Sequence, residues 1–426
     1  LTACRHLAKY LKSENIKNLN EQKPEQVLYV WNYLEWGGAQ VYFLGIASRI
    51  KDRTKVKFIF PRETNRQFIN FCENLGIEYE FLEGVADFKP ATTLKRKFGR
   101  HLNKIQTEIS MLRYLRKFEL KDSILHIELA PWQSVLALSR LCLRRAKVFM
   151  TMHNALPSVS KWRNLLWKLK FSIVTRFDDF YIFASNQDAK NSLKPFVPKE
   201  FFEKIKVTYT NVNPDEADEA LRFELNREDI LKKFGLPKDR FFVFCLGQFI
   251  DRKGRWTFLE AAKKILKDSP DICFVWISNS DLTAEESAKI ESYDLGDGFF
   301  LVKSEAVGDE HLELMKFLRI ADVFALPSFV EGLPISLLEA MSLGIPSIST
   351  NVYAIPEAVK NGETGILIEA GDSDALAEAV KALKDNEALR KTLGQNGREW
   401  VLANFNEKTV AEIAFQSYAE AFEQNK

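Results

Sequence analysis

Short apolar runs alternate with amphipathic stretches along nearly the whole chain, and that rhythm restricts the folds open to it. Gln26 to Trp31 reads as a first strand, followed by Gly37-Gly38 and an apolar helix through Ile50. Lys55 to Phe60 is a second strand, Phe68 to Leu75 a helix, and Lys89 to Lys117 a basic, helix-prone stretch. Strands follow at 124–128, 146–152, 180–184 and 205–209, with helices at 132–143 and 187–193. After a polar, acidic connection at 211–236 a second series begins. It has strands at 241–247, 272–277, 323–325 and 347–349, helices at 256–266 and 375–383, and a last helical segment at 406–424. Strands separated by helices predict parallel sheets covered on both faces. The expected fold class is α/β: two doubly wound, Rossmann-like domains, 1–210 and 237–405, facing a central cleft, with a terminal helix at 406–426.

The length of 426 residues accommodates two or three domains. The five cysteines, Cys4, Cys72, Cys142, Cys245 and Cys273, are scattered. That spacing argues against a zinc cluster or a disulfide framework and fits a reducing cytoplasm. The adjacent pair Asp178-Asp179 precedes a strand instead of ending one, and no His/Cys/Asp cluster has ligand spacing, so no metal is expected. No apolar run approaches the ~20 residues of a membrane span. The first residues lack the apolar core of a secretory signal. A cytoplasmic protein is expected.

The net charge of +2 conceals an asymmetry. Residues 1–210 hold 36 Lys and Arg against 20 Asp and Glu, whereas 211–426 hold 24 against 38. Between Glu128 and Asp178 there is no acid and there are nine bases. Within that gap Trp162, Leu165, Leu166, Leu169 and Ile173 recur at helical spacing, flanked by Lys161, Arg163, Lys168 and Lys170. This is the pattern of a basic amphipathic helix lying on an anionic membrane surface; an ordinary core-facing helix with a basic outer side stays open as the alternative. The expected partner of 129–177 is therefore an anionic membrane surface, at the inner face of the membrane. No recognised nucleic-acid module accompanies the charge, so nucleic acid is not expected.

The chemistry concentrates in Pro327-Ser-Phe-Val-Glu331-Gly332-Leu333-Pro334-Ile-Ser-Leu-Leu-Glu339, which continues to Gly344-Ile-Pro346. Gly332-Leu333-Pro334 is loop chemistry, and the apolar run after it starts a helix. Glu331 should sit in the loop and Glu339 inside the helix. The unpaired N–H groups of such a helix start attract anions. A carboxylate there suits sugar hydroxyls instead. Phosphate on the N–H groups and hydroxyls on two carboxylates describe a nucleotide-sugar pocket. Upstream, Gly247-Gln248-Phe-Ile-Asp251-Arg252-Lys253-Gly254 joins a strand to a helix and brings a cation pair to the cleft; a solvated cationic turn is the plain alternative. His153 ends a strand, where an open parallel sheet presents residues to its ligand crevice. Gly37 and Gly38 let backbone approach a ligand closely, although an ordinary tight turn would use them too.

The Glu-x7-Glu stretch, with its Pro-Ser before and Gly-x-Pro after, resembles the retaining GT-B glycosyltransferases of family four, the glycosyl transferases group 1. The resemblance is dense over 237–426 and thinner over 26–210. It implies that Glu331 lies by the donor sugar and diphosphate and that Glu339 holds the ribose hydroxyls. It also implies that Lys253 neutralises the leaving diphosphate, that His153 lies near the donor sugar, and that Gly37-Gly38 borders phosphates and acceptor. Gly332, Leu333 and Pro334 would contribute to substrate binding. Gln248 stands where the family has Arg, and Arg252 is the candidate to supply the missing charge. Ile355-Pro356-Glu357 and Asn361-Gly362 match the downstream pattern, but Tyr353-Ala354 replace an expected glycine. The family's last helix crosses back to the first domain. The implied activity is transfer of a hexose-like sugar from a nucleoside diphosphate-sugar to a glycan, lipid or other hydroxyl, with no further cofactor. A nucleotide-sugar epimerase of the same fold and a non-catalytic nucleotide-sugar-binding subunit are the alternatives.

Overall fold

The computed structural model describes residues 24–34, 37–86, 93–308 and 310–423. Residues 1–23 and 424–426, Glu35 and Trp36 before the glycine pair, and the 87–92 start of the basic stretch lie outside the described residues.

The first domain is a parallel sheet of seven strands in the order β3-β2-β1-β4-β5-β6-β7. These are β1 (Gln26–Val30), β2 (Lys55–Pro61), β3 (Glu78–Leu82), β4 (Ser123–Ile127), β5 (Lys147–Met152), β6 (Phe180–Ala184) and β7 (Lys206–Val207). Its helices are α1 (Gly38–Ile50), α2 (Arg66–Leu75), α3 (Leu94–Tyr114), α4 (Pro131–Cys142), α5 (Lys161–Val174), α6 (Gln187–Leu193) and α7 (Lys199–Lys204). The period of two along β1 sends Val27, Tyr29 and Trp31 into one core and Leu28 and Val30 into the other. Both faces are buried, which is why the central strands read as unbroken apolar runs.

The second domain has six parallel strands in the order β10-β9-β8-β11-β12-β13. They are β8 (Phe241–Leu246), β9 (Ile272–Ile277), β10 (Phe299–Val302), β11 (Val323–Leu326), β12 (Ser347–Thr350) and β13 (Ile366–Ile368). Its helices are α8 (Pro214–Arg222), α9 (Arg227–Lys233), α10 (Arg255–Leu266), α11 (Ala284–Glu291), α12 (Ser304–Val307), α13 (His311–Leu318), α14 (Ile335–Ser342), α15 (Ile355–Ala358), α16 (Ser373–Asp385) and α17 (Glu387–Asn404). Residues 211–236, expected as a polar connection, instead contain α8 and α9. Asn213 and Asn226 cap them, and Ala217, Ala220 and Leu231 are buried in the second core. Acidic outer faces hide so small an apolar stripe from a reading by composition.

Three strands without a counterpart in the sequence reading, β3, β10 and β13, all lie at sheet edges. An edge strand is covered less completely, so its sequence (Glu-Tyr-Glu-Phe-Leu in β3) carries charges that break the apolar run.

A last helix, α18 (Glu407–Glu423), leaves the second domain and packs Val410, Ala414, Phe415 and Tyr418 into the first. The Tyr418 hydroxyl meets His126 Nδ1 at 2.7 Å and the Tyr29 hydroxyl at 3.3 Å, while His126 Nε2 meets Thr151 Oγ1 at 2.8 Å. Burial holds this imidazole well below its ordinary pKa, so His126 is a neutral core residue. The two chain crossings run side by side, joined as a parallel bridge between Val212 and Asn406.

Each sheet reverses its strand order beside its first strand, between β1 and β4 and between β8 and β11. Ligand crevices open at the carboxyl ends of strands at such reversals. The loops leaving these four strands carry Gly37, Glu128, Gln248 to Gly254, and Pro327 to Glu331.

Candidate active site

The β8 and β11 loops are laced together. The N–H of Phe329 donates to the Arg252 carbonyl at 2.8 Å, and the Arg252 guanidinium donates to the Val330 carbonyl at 3.0 Å. Gly254 has φ +77, and a Cβ there would stand 1.9 Å from the Pro327 carbonyl oxygen. Only glycine meets both demands. The contact holds Lys253 Nζ 2.6 Å from Glu331 Oε1, with Arg252 3.6 Å from Oε2. The Ser328 hydroxyl donates to Glu331 Oε1 at 3.0 Å, and Thr350 Oγ1 donates to the Ser328 carbonyl at 2.6 Å. Glu331 is thus a buried carboxylate, 6% exposed, held by ammonium and hydroxyl. Gln248 is exposed at the head of the same turn, and Arg252 is the partly exposed cation beside Glu331.

Gly332, Leu333 and Pro334 lead into α14, whose start is capped by no side chain. Its first N–H groups are free to meet an anion. One turn on, Glu339 is 6% exposed, and its Oε1 lies 2.7 Å from His311 Nε2. His311 Nδ1 lies 3.0 Å from Glu216 Oε1. The sequence gives no context to His311, because its partners come from α8 and α14.

The first domain closes the other side. The Gly332 backbone passes so near it that a Cβ would stand 2.5 Å from the His153 carbonyl oxygen. Gly38 lies under Ile335, the first residue of α14, with 3.5 Å from an added Cβ to Cδ1. The Gly37 N–H is taken by Gln40 Oε1 at 3.0 Å. The backbone N–H groups of Gln187 and Asp188, at the start of α6, donate across the cleft to Glu357 at 2.9 and 3.0 Å. Burial raises the Glu357 carboxyl above its ordinary pKa, and those two bonds work against the rise.

His153 presents its carbonyl to Ser185 and Asn186 at 3.2 and 3.0 Å. Its ring lies edge-on to Tyr42, and its Nε2 is 3.5 Å from Glu128 Oε1. Both of those atoms are buried without a hydrogen-bond partner. A buried polar atom left unpaired is costly, and these two sit together at the carboxyl ends of β4 and β5. Glu128 is a residue that sequence reasoning missed; its position just beyond the carboxyl end of β4 is the signal that would have found it. Tyr353 takes φ +47, where the family pattern has glycine, and stays half exposed. A non-glycine residue held there is strained.

Residues 226–400 match the family model described as Glycosyl transferases group 1. The capsular polysaccharide biosynthesis glycosyltransferase CapM of Staphylococcus aureus is 28% identical over 210 residues, 49% of this chain and 53% of that protein. An Escherichia coli UDP-Gal:alpha-D-GlcNAc-diphosphoundecaprenol alpha-1,3-galactosyltransferase is 30% identical over 185 residues, 43% of this chain and 46% of that protein. The aligned region thus spans about half the length of these relatives. Two solved structures share the fold across nearly the whole chain. A glycosyltransferase of Rickettsia africae has a TM-score of 0.73 at 16% identity, covering 95% of this chain and 99% of its own. Anabaena HepE, solved with UDP and glucose, has a TM-score of 0.72 at 16% identity, covering 93% and 100%. Two Rossmann-like sheets with a cleft between their reversal points make the architecture GT-B, and the match to the Glycosyl transferases group 1 family model falls within the second domain, over residues 226–400.

Proposed function

We propose that the chain is a retaining glycosyltransferase that moves a sugar from a nucleoside diphosphate-sugar to a hydroxyl acceptor. The observation that carries this reading is the convergence of Lys253, Arg252, Glu331 and the uncapped start of α14 on one wall of the cleft, with Gly38 and the His153 carbonyl against them. The diphosphate takes the α14 N–H groups and the two cations, and Glu331 and Glu339 take sugar and ribose hydroxyls. During transfer the bond from the sugar's anomeric carbon to the phosphate oxygen breaks. The acceptor oxygen bonds to that carbon on the same face, and its proton passes to the departing phosphate. Negative charge grows on the phosphate as it leaves, where Lys253 and Arg252 stabilise it. No nucleophile of the protein is needed. HepE, with UDP and glucose in its structure, supports a UDP-sugar donor, and the E. coli relative's diphosphoundecaprenol acceptor supports a lipid-linked one.

The basic helix adds to the lipid-linked reading. On α5 only Phe171 and Val174 are buried, while Trp162 is 73% exposed and Leu165, Leu166, Leu169 and Ile173 are exposed with it. The core-facing alternative would have buried these side chains. Beside it α3 exposes Phe98, Leu102, Ile105 and Ile109, and α4 joins the two, with Lys104 donating to the Gln133 carbonyl and Lys170 to the Trp132 carbonyl. A peripheral position on an anionic membrane face brings the first domain to a lipid-linked acceptor.

A panel of nucleotide-sugars, with release of nucleoside diphosphate measured with and without lipid extract, tests the function. Release that requires an acceptor supports transfer. Interconversion of sugars without acceptor would identify an epimerase, and tight nucleotide binding without turnover would identify a binding subunit, the reading that Gln248 favours.

A further inference from the structure

We propose that His311 is a positioning residue of the donor site, an imidazolium that bridges Glu216 and Glu339 and fixes the Glu339 carboxylate for the ribose hydroxyls. The inference rests on the reading of Glu339 as the ribose ligand given above. Its geometry is independent of that reading. Both ring nitrogens of His311 stand at hydrogen-bond distance from carboxylate oxygens, 2.7 Å to Glu339 Oε1 and 3.0 Å to Glu216 Oε1. A carboxylate only accepts, so each nitrogen must carry a proton to bond both partners. A neutral ring has one N–H and would leave a lone pair facing one oxygen.

The surroundings favour the charged ring. Glu216 comes from α8 and Glu339 from α14, and Glu310, just ahead of α13, lines the same cavity of about 160 Å³ as His311. The facing side of that cavity, on α2, offers the uncharged Gln67, Asn70 and Asn74. Farther along α13, Glu313 is paired with Lys316 at 2.8 Å. Burial alone would lower the imidazole pKa; the charge of Glu339, then the bonds to Glu216 and Glu339, outweigh it and hold the pKa well above the ordinary value.

Consequences for the nucleotide follow from burial. Glu339 is 6% exposed, and a carboxylate so enclosed is costly unless a cation pairs with it. With His311 bonded to Oε1, the carboxylate is paired and rotationally fixed, which leaves Oε2 for ribose hydroxyls. His311 touches no substrate in this account. It acts through Glu339, and Glu216 holds its far side.

The test uses the full chain labelled with ¹⁵N-histidine, following the imidazole nitrogens against pH, together with calorimetric titration of UDP and GDP. The wild-type ring should show both nitrogens still protonated well above the ordinary midpoint of about 6.5. His311→Gln should weaken nucleotide binding by about tenfold or more, the scale of one hydrogen bond to a charged group. Glu216→Gln, which keeps size and shape, serves if His311→Gln does not fold. It should move the imidazole midpoint down and make nucleotide affinity fall as pH rises through neutrality. A wild-type ring with a single N–H at about pH 7, or nucleotide affinity in both variants equal to wild type across the pH range, overturns the proposal. Failure of the donor-site reading has a separate signature: Glu339→Ala would bind UDP and GDP normally while the imidazolium spectrum stood unchanged in the wild type.

Discussion

Lys253 and Glu331 form a contact that substrate must reorganise, because the ammonium now bonded to Glu331 at 2.6 Å is the one proposed to meet the diphosphate. Lys253→Ala should therefore lower kcat by about 10- to 100-fold, the worth of a charge-assisted bond of roughly 1.5–3 kcal/mol. Arg252→Ala should be impaired as well if the guanidinium replaces the arginine that Gln248 displaces. Steady-state rates decide the point: a wild-type Arg252→Ala beside an inactive Gln248→Ala makes the amide the phosphate ligand. His311 adds a pH dependence of stability. Its pKa is raised on folding, so its stabilisation is complete below the unfolded value of about 6.5 and is lost as pH rises through the raised folded value. Thermal melts of wild type and His311→Gln should differ most on the acid and neutral side and converge in alkali; a constant difference would contradict the linkage. The spacing of Glu331, Glu339, Lys253 and Gly254 was legible because Lys253, Gly254 and Glu331 lie in two short loops after strands and Glu339 in the helix that follows the second. His311 was not, because its partners Glu216 and Glu339 come from elements distant in the chain; Glu128 carried only its position beyond a strand end, since its neighbour His153 is distant in sequence too.

Among the elements, the β8–α10 turn is the most constrained. Gly254→Ala would combine a left-handed φ with an overlap against the Pro327 carbonyl. It should lower stability by about 1–3 kcal/mol and separate Lys253 from Glu331, so melting temperature and turnover should fall together. Unchanged melting would show that the two loops part easily. Helix α5 makes a different prediction, since its apolar residues face solvent. Replacing Lys161, Arg163, Lys168 and Lys170 with Gln should reduce co-sedimentation with anionic vesicles at low salt and leave nucleotide binding intact. Added salt should mimic the change, because surface charge is screened over about 10 Å at 0.1 M. Equal sedimentation of variant and wild type would remove the membrane from the account. The periodicity of α5 was visible in the sequence, but which way its stripe faced was not: an amphipathic pattern has the same period whether it meets a core or a lipid surface.

At the scale of the molecule, α18 ties the end of the chain to the first domain. Tyr418→Phe would leave His126 Nδ1 without its 2.7 Å partner in a fully buried setting. A loss of about 1–3 kcal/mol is expected from such an orphaned group, measurable by denaturant unfolding. Little change would mean that the imidazole finds another partner. The sequence alone determined the α/β class, the two sheets, most central strands and the loops to which the proposed anion-binding chemistry is assigned. Those features follow from local rules: buried parallel strands are apolar throughout, and helix starts and tight turns need particular residues. Tertiary structure decided the rest. Edge strands β3, β10 and β13 depend on a neighbour for pairing, and α8 and α9 depend on a core to hide a few small side chains. The proximity of Gly332 to His153 and the bonds from α6 to Glu357 require two domains to meet. Contacts between elements distant in sequence leave no period and no spacing in the chain, and the proposed site is assembled from such contacts.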